Sequence, residues 1–439
     1  MPTPSLILVP ARFKTGKLYT PLATTSGGVV LGASGDFNVT RATTATRVNA
    51  SGLIEVVASG VPRLDYPLGG GCPALLVEPS GTNVARFVNQ MTAQDLPAAS
   101  GGLTSTSGST DFLAPNGTSG SITKYVGGAA SGSNQFAYYT GGAITASASG
   151  VHTFSLFVKA AATNPLNFFA LNFNLYTGAS GTATSYFSLA SGTALTTGAS
   201  IQNYGNGWYR CVSAPYTIAS GDLSGMVSFV FAKGDGDITW PVSGALNLTA
   251  YTWGAQLETG SVATSYIPTT TASATRNADV ITLSGAVSGC IGQTEGTIYA
   301  EVDLRALSVA RTIFGVSLNS NTADFANIQI NSSNRILARI RSGAGTVQDV
   351  TASSTVTGTT KIAMAYDSSG SVLVVNGTII GTNASGIASW SSGVNFVHIG
   401  NGPNAASGSS QSAFFNDRIG APVLYTTRLT NAQLQALTT

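Results

Sequence analysis

The chain has 439 residues, enough for two or three domains at about 100–200 residues each, and 43% of them are hydrophobic, which supplies more than one core. Charged residues make up 9%, far below the roughly 25% of an ordinary soluble domain. The formal net charge is +2 with no Lys/Arg run, which gives no signal for nucleic-acid binding, and no apolar stretch approaches the roughly 18 residues of a membrane span.

Residues 1–85 come first and differ from the rest. Short extended runs, Leu6–Val9 and Leu53–Val57, are broken by Gly and by Pro10, Pro21, Pro62, Pro67, Pro73 and Pro79. Such a segment cannot bury a core of its own, so it is expected to dock on something else or to intertwine with copies of itself. Its opening, MPTPSLILVPARF, has no charged leader before the short apolar run, which predicts no secretory signal. Glu78 follows an apolar run and is expected to pair with Arg63, Arg47 or Arg86 as a structural ion pair.

From about residue 150 the period turns to two, the pattern of half-buried strands. Phe154, Leu156 and Val158 alternate with Thr153, Ser155 and Phe157. Phe169, Leu171, Phe173 and Leu175 form a second series, Val227, Phe229 and Phe231 a third, and Tyr251, Trp253, Ala255 and Leu257 a fourth. Trp208 and Tyr209 are adjacent and so point to opposite faces. The 52 glycines and the many Ser, Thr and Asn residues suit tight turns better than helices. Many short strands between turn-rich stretches predict a sandwich or jelly roll.

The Thr-, Ser- and Ala-rich stretch from Ile267 to Ala278 is expected to be a linker. A second strand series follows it. Ile298, Ala300, Val302 and Leu304 alternate with Tyr299, Glu301 and Asp303, and Ile336, Ala338 and Ile340 alternate with Arg335, Leu337, Arg339 and Arg341. Turns are predicted at Asp367–Gly370 and Asn376–Gly377, the latter a strong hairpin signal. A short helix closes the chain, capped by Thr430 with Gln433 reaching back and docked through Leu434 and Leu437.

Groups for catalysis are few. His152 and His398, the only histidines, sit in strand patterns, and there is no GxSxG elbow. The carboxylate pairs Asp235/Asp237 and Glu301/Asp303 lie in a turn and on an outward strand face, so no catalytic residue is assigned and no enzyme is expected. No cofactor is expected either. Calcium is the one ion left open, at Asp235 and Asp237 in the turn. Cys72, Cys211 and Cys290 are odd in number and far apart, without disulfide or zinc spacing, and are expected to be reduced and buried. Exposed aromatic rings are the natural sugar platforms. Among Tyr138, Tyr139, Tyr204, Tyr209, Trp240 and Trp390, the carbohydrate-binding candidates are Trp240 and Trp390, in polar turn-like contexts, and Tyr209.

Three sets of stretches carry a family resemblance. FNVTRATTATRVNASGLIEVVASGVPRLDY with CPALLVEPSGTN resembles an N-terminal region of phage tail and fibre proteins. HTFSLFVKA, GNGWYRCVS and YTWGAQLETGSVATSYIPT resemble the carbohydrate-binding-module-like jelly roll of those proteins. KIAMAYDSSGSVLVVNGT with NDRIGAPVLYTTRLTNAQLQALT resembles the last strands of a laminin-G, concanavalin-like sandwich. The resemblance implies an all-β chain of two jelly-roll/concanavalin-like β-sandwich domains, 86–275 and 276–439, behind an extended virion-attachment and oligomerisation segment, 1–85. It implies a homotrimeric fibre or spike exposed on the virion, assembled in the bacterial host cytoplasm. That fibre would bind other virion proteins through residues 1–85 and a host glycan or receptor through its lobes, with no nucleic-acid partner and no membrane insertion. A tail fibre is the preferred expectation. A head fibre or capsid decoration protein is the alternative, and a glycan-degrading depolymerase is a third.

Overall fold

The structure, a computed structural model, describes residues 2–8, 13–18, 36–85, 103–128, 136–139, 150–175, 181–219, 225–238, 247–270, 272–284, 289–305, 309–318, 323–343, 348–386, 390, 393–404, 409–412 and 414–439. It is all-β, built as two β-sandwich lobes, with a single helix among the described residues, Asn431–Thr438.

The middle lobe stacks two antiparallel sheets. One runs Thr104–Ser109, Ile122–Val126, Thr249–Thr259, Gly150–Ala160, Trp208–Val212, Ser200–Asn203. The other runs Phe136–Tyr139, Gly225–Ala232, Phe168–Leu175, Thr182–Ser188, Thr193–Ala194. The core between them is aromatic: Phe154, Phe169, Phe173, Phe187, Phe229 and Phe231 are fully buried. Phe169 stacks on Phe187 with ring centroids 5.0 Å apart, and Phe229 meets Phe231 edge-on at 5.7 Å, the offset and T-shaped geometries that aromatic quadrupoles favour.

The fourth alternating series does not keep one face. Trp253 stands opposite Phe157, but the register then shifts, and Gln256 stands opposite Ser155 and Leu257 opposite Phe154. Gly254 sits in this β-bulge at φ +64°. A Cβ there would lie 3.0 Å from Phe157 Cδ2 and 3.3 Å from Tyr266 Cε2, so both the backbone conformation and the space require glycine. The bulge puts Trp253 on the face opposite to Leu257, where uninterrupted alternation would have placed them together.

The C-terminal lobe is completed by the start of the chain. One of its sheets runs Thr378–Asn383, Gly370–Val375, Gly358–Asp367, Gly296–Leu304, Asp417–Ile419, Ala74–Val77, Leu64–Asp65, with Leu6–Ile7 added through Val423–Tyr425. The other runs Phe13–Lys14, Lys17–Leu18, Phe37–Thr40, Val280–Ser284, Phe396–Ile399, Arg311–Ser317, Phe325–Ile330, Ile336–Arg341, Gln348–Thr351. Among the described residues of the first 85, the strands Leu6–Ile7, Phe13–Lys14, Lys17–Leu18, Phe37–Thr40, Leu64–Asp65 and Ala74–Val77 thus dock on this chain's own sandwich, while Gly81–Asn83 joins the middle-lobe sheet. Strands of two to four residues have too few ladder bonds to stand alone, and here they extend the sheets and put Leu6, Leu18, Phe37, Leu75 and Val77 into the shared core at 0% exposure.

Local signals read from the sequence hold in this lobe. Asn376 and Gly377 take positive φ (46° and 75°) between Gly370–Val375 and Thr378–Asn383. Thr430 and Gln433 form the reciprocal capping box. The arginine side of Ile336–Arg341 finds a partner on the next strand, where Arg339 grips Asp349 with two bonds of 2.8 and 2.7 Å. The stretch expected as a linker instead carries a strand. Ala274–Arg276 pairs with Gly81–Asn83, and Arg276 is 1% exposed, drawn in by buried carboxylates. Cys211 and Cys290 are buried as expected, but Cys72 is exposed. It follows the Gly69–Gly71 turn, which carries the chain out to solvent before the strand Ala74–Val77 begins.

Phe37→Ala should destabilise the C-terminal lobe by about 3–5 kcal/mol, the usual cost of emptying a buried phenylalanine site, although Phe37 lies more than two hundred residues from most of its neighbours. Urea unfolding followed by far-UV circular dichroism measures this, and a change of less than about 1 kcal/mol would mean that the N-terminal strands do not contribute to the core.

Candidate binding cleft

The two lobes meet on a knot of buried charge. Arg63, fully buried, donates to Glu78 Oε2 at 2.7 Å, to Ser265 Oγ at 2.8 Å and to the Thr46 carbonyl at 3.1 Å, and it also pairs with Asp279. Arg41 reaches Asp279 Oδ1 at 2.8 Å, and Arg276 approaches Glu78 Oε2 at 3.5 Å. Glu78 also accepts from the Ser265 amide and hydroxyl at 2.7 and 2.6 Å. The sequence expectation for Glu78 was Arg63, Arg47 or Arg86. Arg63 is the partner found. Arg276 is the one missed, because 198 residues separate it from Glu78. Arg47 instead pairs with Glu55 at 2.6 Å across its hairpin, and Arg86 lies outside the described residues. Burial by itself would raise the Glu78 carboxyl, but Arg276 and Arg63 reverse this and hold it well below the usual carboxylate range.

Beside this knot a cleft of about 220 Å³ opens between the lobes. Three parts of the chain line it. The hairpin Ala45–Val48/Ile54–Val57 and the following segment bring Asp65 and Tyr66. The middle lobe brings Tyr204, Arg210 and Tyr266, and the C-terminal lobe brings Asp303, Arg305, Asp417 and Arg418. The middle-lobe wall is the outer face of its larger sheet. Phe157 stands in register between Arg210 and Trp253. Its ring meets Tyr204 edge-on at 4.9 Å and Trp253 at 5.3 Å, and Trp253 lies 4.5 Å from Tyr266. The Arg210 guanidinium lies 5.6 Å from the Phe157 ring centre. Tyr204, Tyr266 and Arg210 line the cleft, and the buried rings of Phe157 and Trp253 pack behind them.

The cleft carboxylates are held by arginines and amides. Asp417 takes Arg305 and Arg311, the latter at 3.3 Å, and Asp303 takes Arg418. Asp65 accepts the Val48 amide at 2.6 Å and lies 3.6 Å from Arg418. Burial pushes Asp65 up to about 6, with the Val48 amide and Arg418 pulling against it. Burial also raises the Tyr204 and Tyr266 hydroxyls, so both rings present neutral phenols. Such a surface offers ring faces, hydroxyls and fixed charges, the groups that hold a sugar.

Of the residues singled out from sequence, Tyr204 and Asp303 line the cleft, as do Glu78 and Arg47. Trp390 was expected to be exposed, but it is 6% exposed and packs in the C-terminal core. It stands edge-on to Tyr366 at 5.6 Å, with its indole donating to the Gly292 carbonyl at 3.3 Å, so it has no free face. Tyr209 is half-buried, packed on the middle-lobe core and against Gly192. Trp240 and the side chains of Tyr138 and Tyr139 lie outside the described residues. Asp235 is exposed, and Asp237 pairs with Lys233 at 3.0 Å. Among the described residues no three His, Cys, Asp or Glu side chains converge as a metal site.

His152 and His398 are buried. His152 lies with Nδ1 2.9 Å from the Gly150 carbonyl, and burial drives His398 down to about 3. Among the described residues no helix is long and apolar enough to cross a membrane. The cleft residues missed from sequence include Arg210, Tyr266, Tyr66, Asp65, Arg305, Asp417 and Arg418. The available signal is a lone arginine inside the apolar strand motif GNGWYRCVS and a tyrosine in VATSYIPT.

Comparison with known proteins gives likeness of structure. No family model matches the sequence, and no curated protein matches it. Among solved structures, the CBM40 of the Ruminococcus gnavus IT-sialidase bound to alpha2,6 sialyllactose aligns at 18% identity over 35% of this chain and 88% of its own, with a TM-score of 0.29. The heptameric SAP-like pentraxin of Limulus polyphemus aligns at 12% identity over 34% of this chain and 70% of its own (TM-score 0.26). The NanB sialidase of Streptococcus pneumoniae aligns at 15% over 36% of this chain and 26% of its own (TM-score 0.30). The chemistry of the cleft therefore follows from its own side chains.

Two outcomes are expected here. Glu78→Gln leaves Arg63, Arg41 and Arg276 to share the single carboxylate of Asp279 and should cost about 3–5 kcal/mol, read by urea unfolding at pH 7. Asp65 has a folded pKa raised above its unfolded value, so the folded state binds the extra proton between about pH 4 and 6 and stability falls as pH rises through that window. Asp65→Asn, whose amide oxygen can still accept from Val48, should flatten that slope and leave stability at pH 7 unchanged or slightly higher. Unfolding curves at half-unit steps from pH 4 to 7 check it.

Proposed function

We propose that this chain is a fibre or spike protein of a phage particle that adheres to glycans on the host surface and performs no reaction on them. The cleft between the lobes carries this reading. It combines tyrosine faces, buried hydrogen-bonding groups and a volume of about 220 Å³, below the roughly 300–1,000 Å³ that encloses a drug-sized ligand and suited to a single sugar ring. Hydrolysis of a glycoside needs one carboxylic acid and one carboxylate flanking the bond. In the cleft Asp303 and Asp417 are occupied by Arg418, Arg305 and Arg311, and Asp65 by the Val48 amide, which supports adhesion over depolymerisation.

The phage assignment rests on the three sets of stretches that resemble fibre proteins. A tail position is the reading adopted, with the protein a homotrimer. Weak sites suffice in such a design. A glycan held at about millimolar Kd contributes about 4 kcal/mol, and linking copies raises avidity by roughly 10²–10⁴ without any new contact. The low net charge, +2, gives little repulsion between copies.

Immunogold electron microscopy with antibody against residues 280–439 tests the assignment on intact particles. Gold at the tail end is expected. Gold around the capsid would replace the tail fibre with a head fibre or decoration protein, and no gold on any particle would overturn the virion reading. Release of reducing ends from host polysaccharide by the purified protein would overturn the non-enzymatic part.

A further inference from the structure

Four arginines line the cleft, and three have carboxylate partners. Arg47 pairs with Glu55, Arg305 with Asp417, and Arg418 with Asp303 and Asp65. Arg210 forms no ion pair among the described residues. It is 5% exposed, it donates to the Ser155 hydroxyl at 3.1 Å, and its Nε has no hydrogen-bond partner. The buried acid whose charge it feels, Glu258, is committed elsewhere. Glu258 accepts from Gln256 Nε2 at 2.6 Å and from the Thr264 amide and hydroxyl at 2.8 and 2.6 Å. A cation taken out of water without a counter-charge is costly, and the Phe157 ring beneath it compensates only in part. Arg210 lines the open cleft, so the missing partner can be a ligand.

We propose that the cleft binds the carboxylate of an acidic sugar, a uronic acid or a related sugar acid, on Arg210. The inference rests on the glycan-binding reading of the same cleft. The planar guanidinium fork matches a carboxylate in two parallel bonds, which a point-like ammonium does not. The ring of the sugar then lies among Tyr66, Tyr204 and Tyr266, with its hydroxyls within the compartment that Asp65 and Asp303 border. A monoanion fits better than a phosphate dianion, because Asp65, Asp303 and Asp417 line the same cavity and a second negative charge meets them at short range.

Isothermal titration of the full chain with D-glucuronate, D-galacturonate, glucuronic acid methyl ester, D-glucose and glucose 6-phosphate tests this. At least one uronate is expected to bind, with the methyl ester and glucose at least tenfold weaker, and Arg210→Gln is expected to remove that difference. The methyl ester comparison needs no variant, so it stands even if Arg210→Gln fails to fold. Equal binding of uronate and its methyl ester would overturn the role of Arg210 while leaving the cleft a sugar site. Preference for glucose 6-phosphate would overturn the carboxylate in favour of a phosphate. Absence of binding by every probe at tens of millimolar would overturn both this inference and the glycan-binding reading of the cleft.

Discussion

The architecture depends on one buried electrostatic knot, in which Arg63, Arg41 and Arg276 surround Glu78 and Asp279. Its members come from three stages of the chain. Arg41 and Arg63 belong to the N-terminal segment, Glu78 ends the strand that enters the C-terminal sheet, and Arg276 and Asp279 leave the middle lobe for the C-terminal one. Main-chain bonds lock the same crossing, with Asp279 N–H donating to the Glu78 carbonyl at 3.0 Å and Glu78 N–H to Asp279 Oδ2 at 3.1 Å. Ion pairs so deeply buried add little net stability over apolar packing. Their effect is directional, because each charge has one acceptable place. They fix where the chain passes from one lobe to the other.

That joint explains why a cleft exists at all. Two sandwiches packed directly face to face would exclude one. Here the hairpin Ala45–Val48/Ile54–Val57 and the Tyr66 segment stand between them, and the outer face of the middle-lobe sheet carries Phe157, Trp253 and Arg210 instead of the small polar residues of a solvent-facing strand. The bulge at Gly254 turns the strand so that Trp253 joins this face while Leu257 stays in the core. Middle lobe, N-terminal segment and C-terminal lobe all contribute to one set of walls, so a ligand seated there touches all three. Binding would then favour the packed arrangement of the lobes in proportion to its affinity.

Some of this was legible in the residues. Alternation placed the strands of both lobes, because a half-buried strand requires period two wherever it stands in the fold. Asn376-Gly377 and the Thr430–Gln433 box are local, satisfied within four residues, and they appear as read. Glu78 with Arg63 was legible because fifteen residues and a turn separate them. Trp390 was misjudged because neighbours in sequence were taken for neighbours in space. The ring packs against Tyr366, and its indole donates to the Gly292 carbonyl, 98 positions away in sequence.

The sequence by itself determined the class: low charge, abundant glycine and period-two patterns leave no alternative to an all-β fold, since those are properties of single strands and turns. Only the tertiary structure decided that strands between Leu6 and Val77 complete the C-terminal sandwich, that Ala274–Arg276 is tied into a sheet, and that Arg210 lines an open volume without an ion-pair partner among the described residues. These depend on contacts between residues tens to hundreds of positions apart. A short strand's choice of partner is set by the edge that lacks a neighbour, and an arginine's need for a ligand is set by which carboxylates other arginines have already taken. Neither is written in the residues nearby.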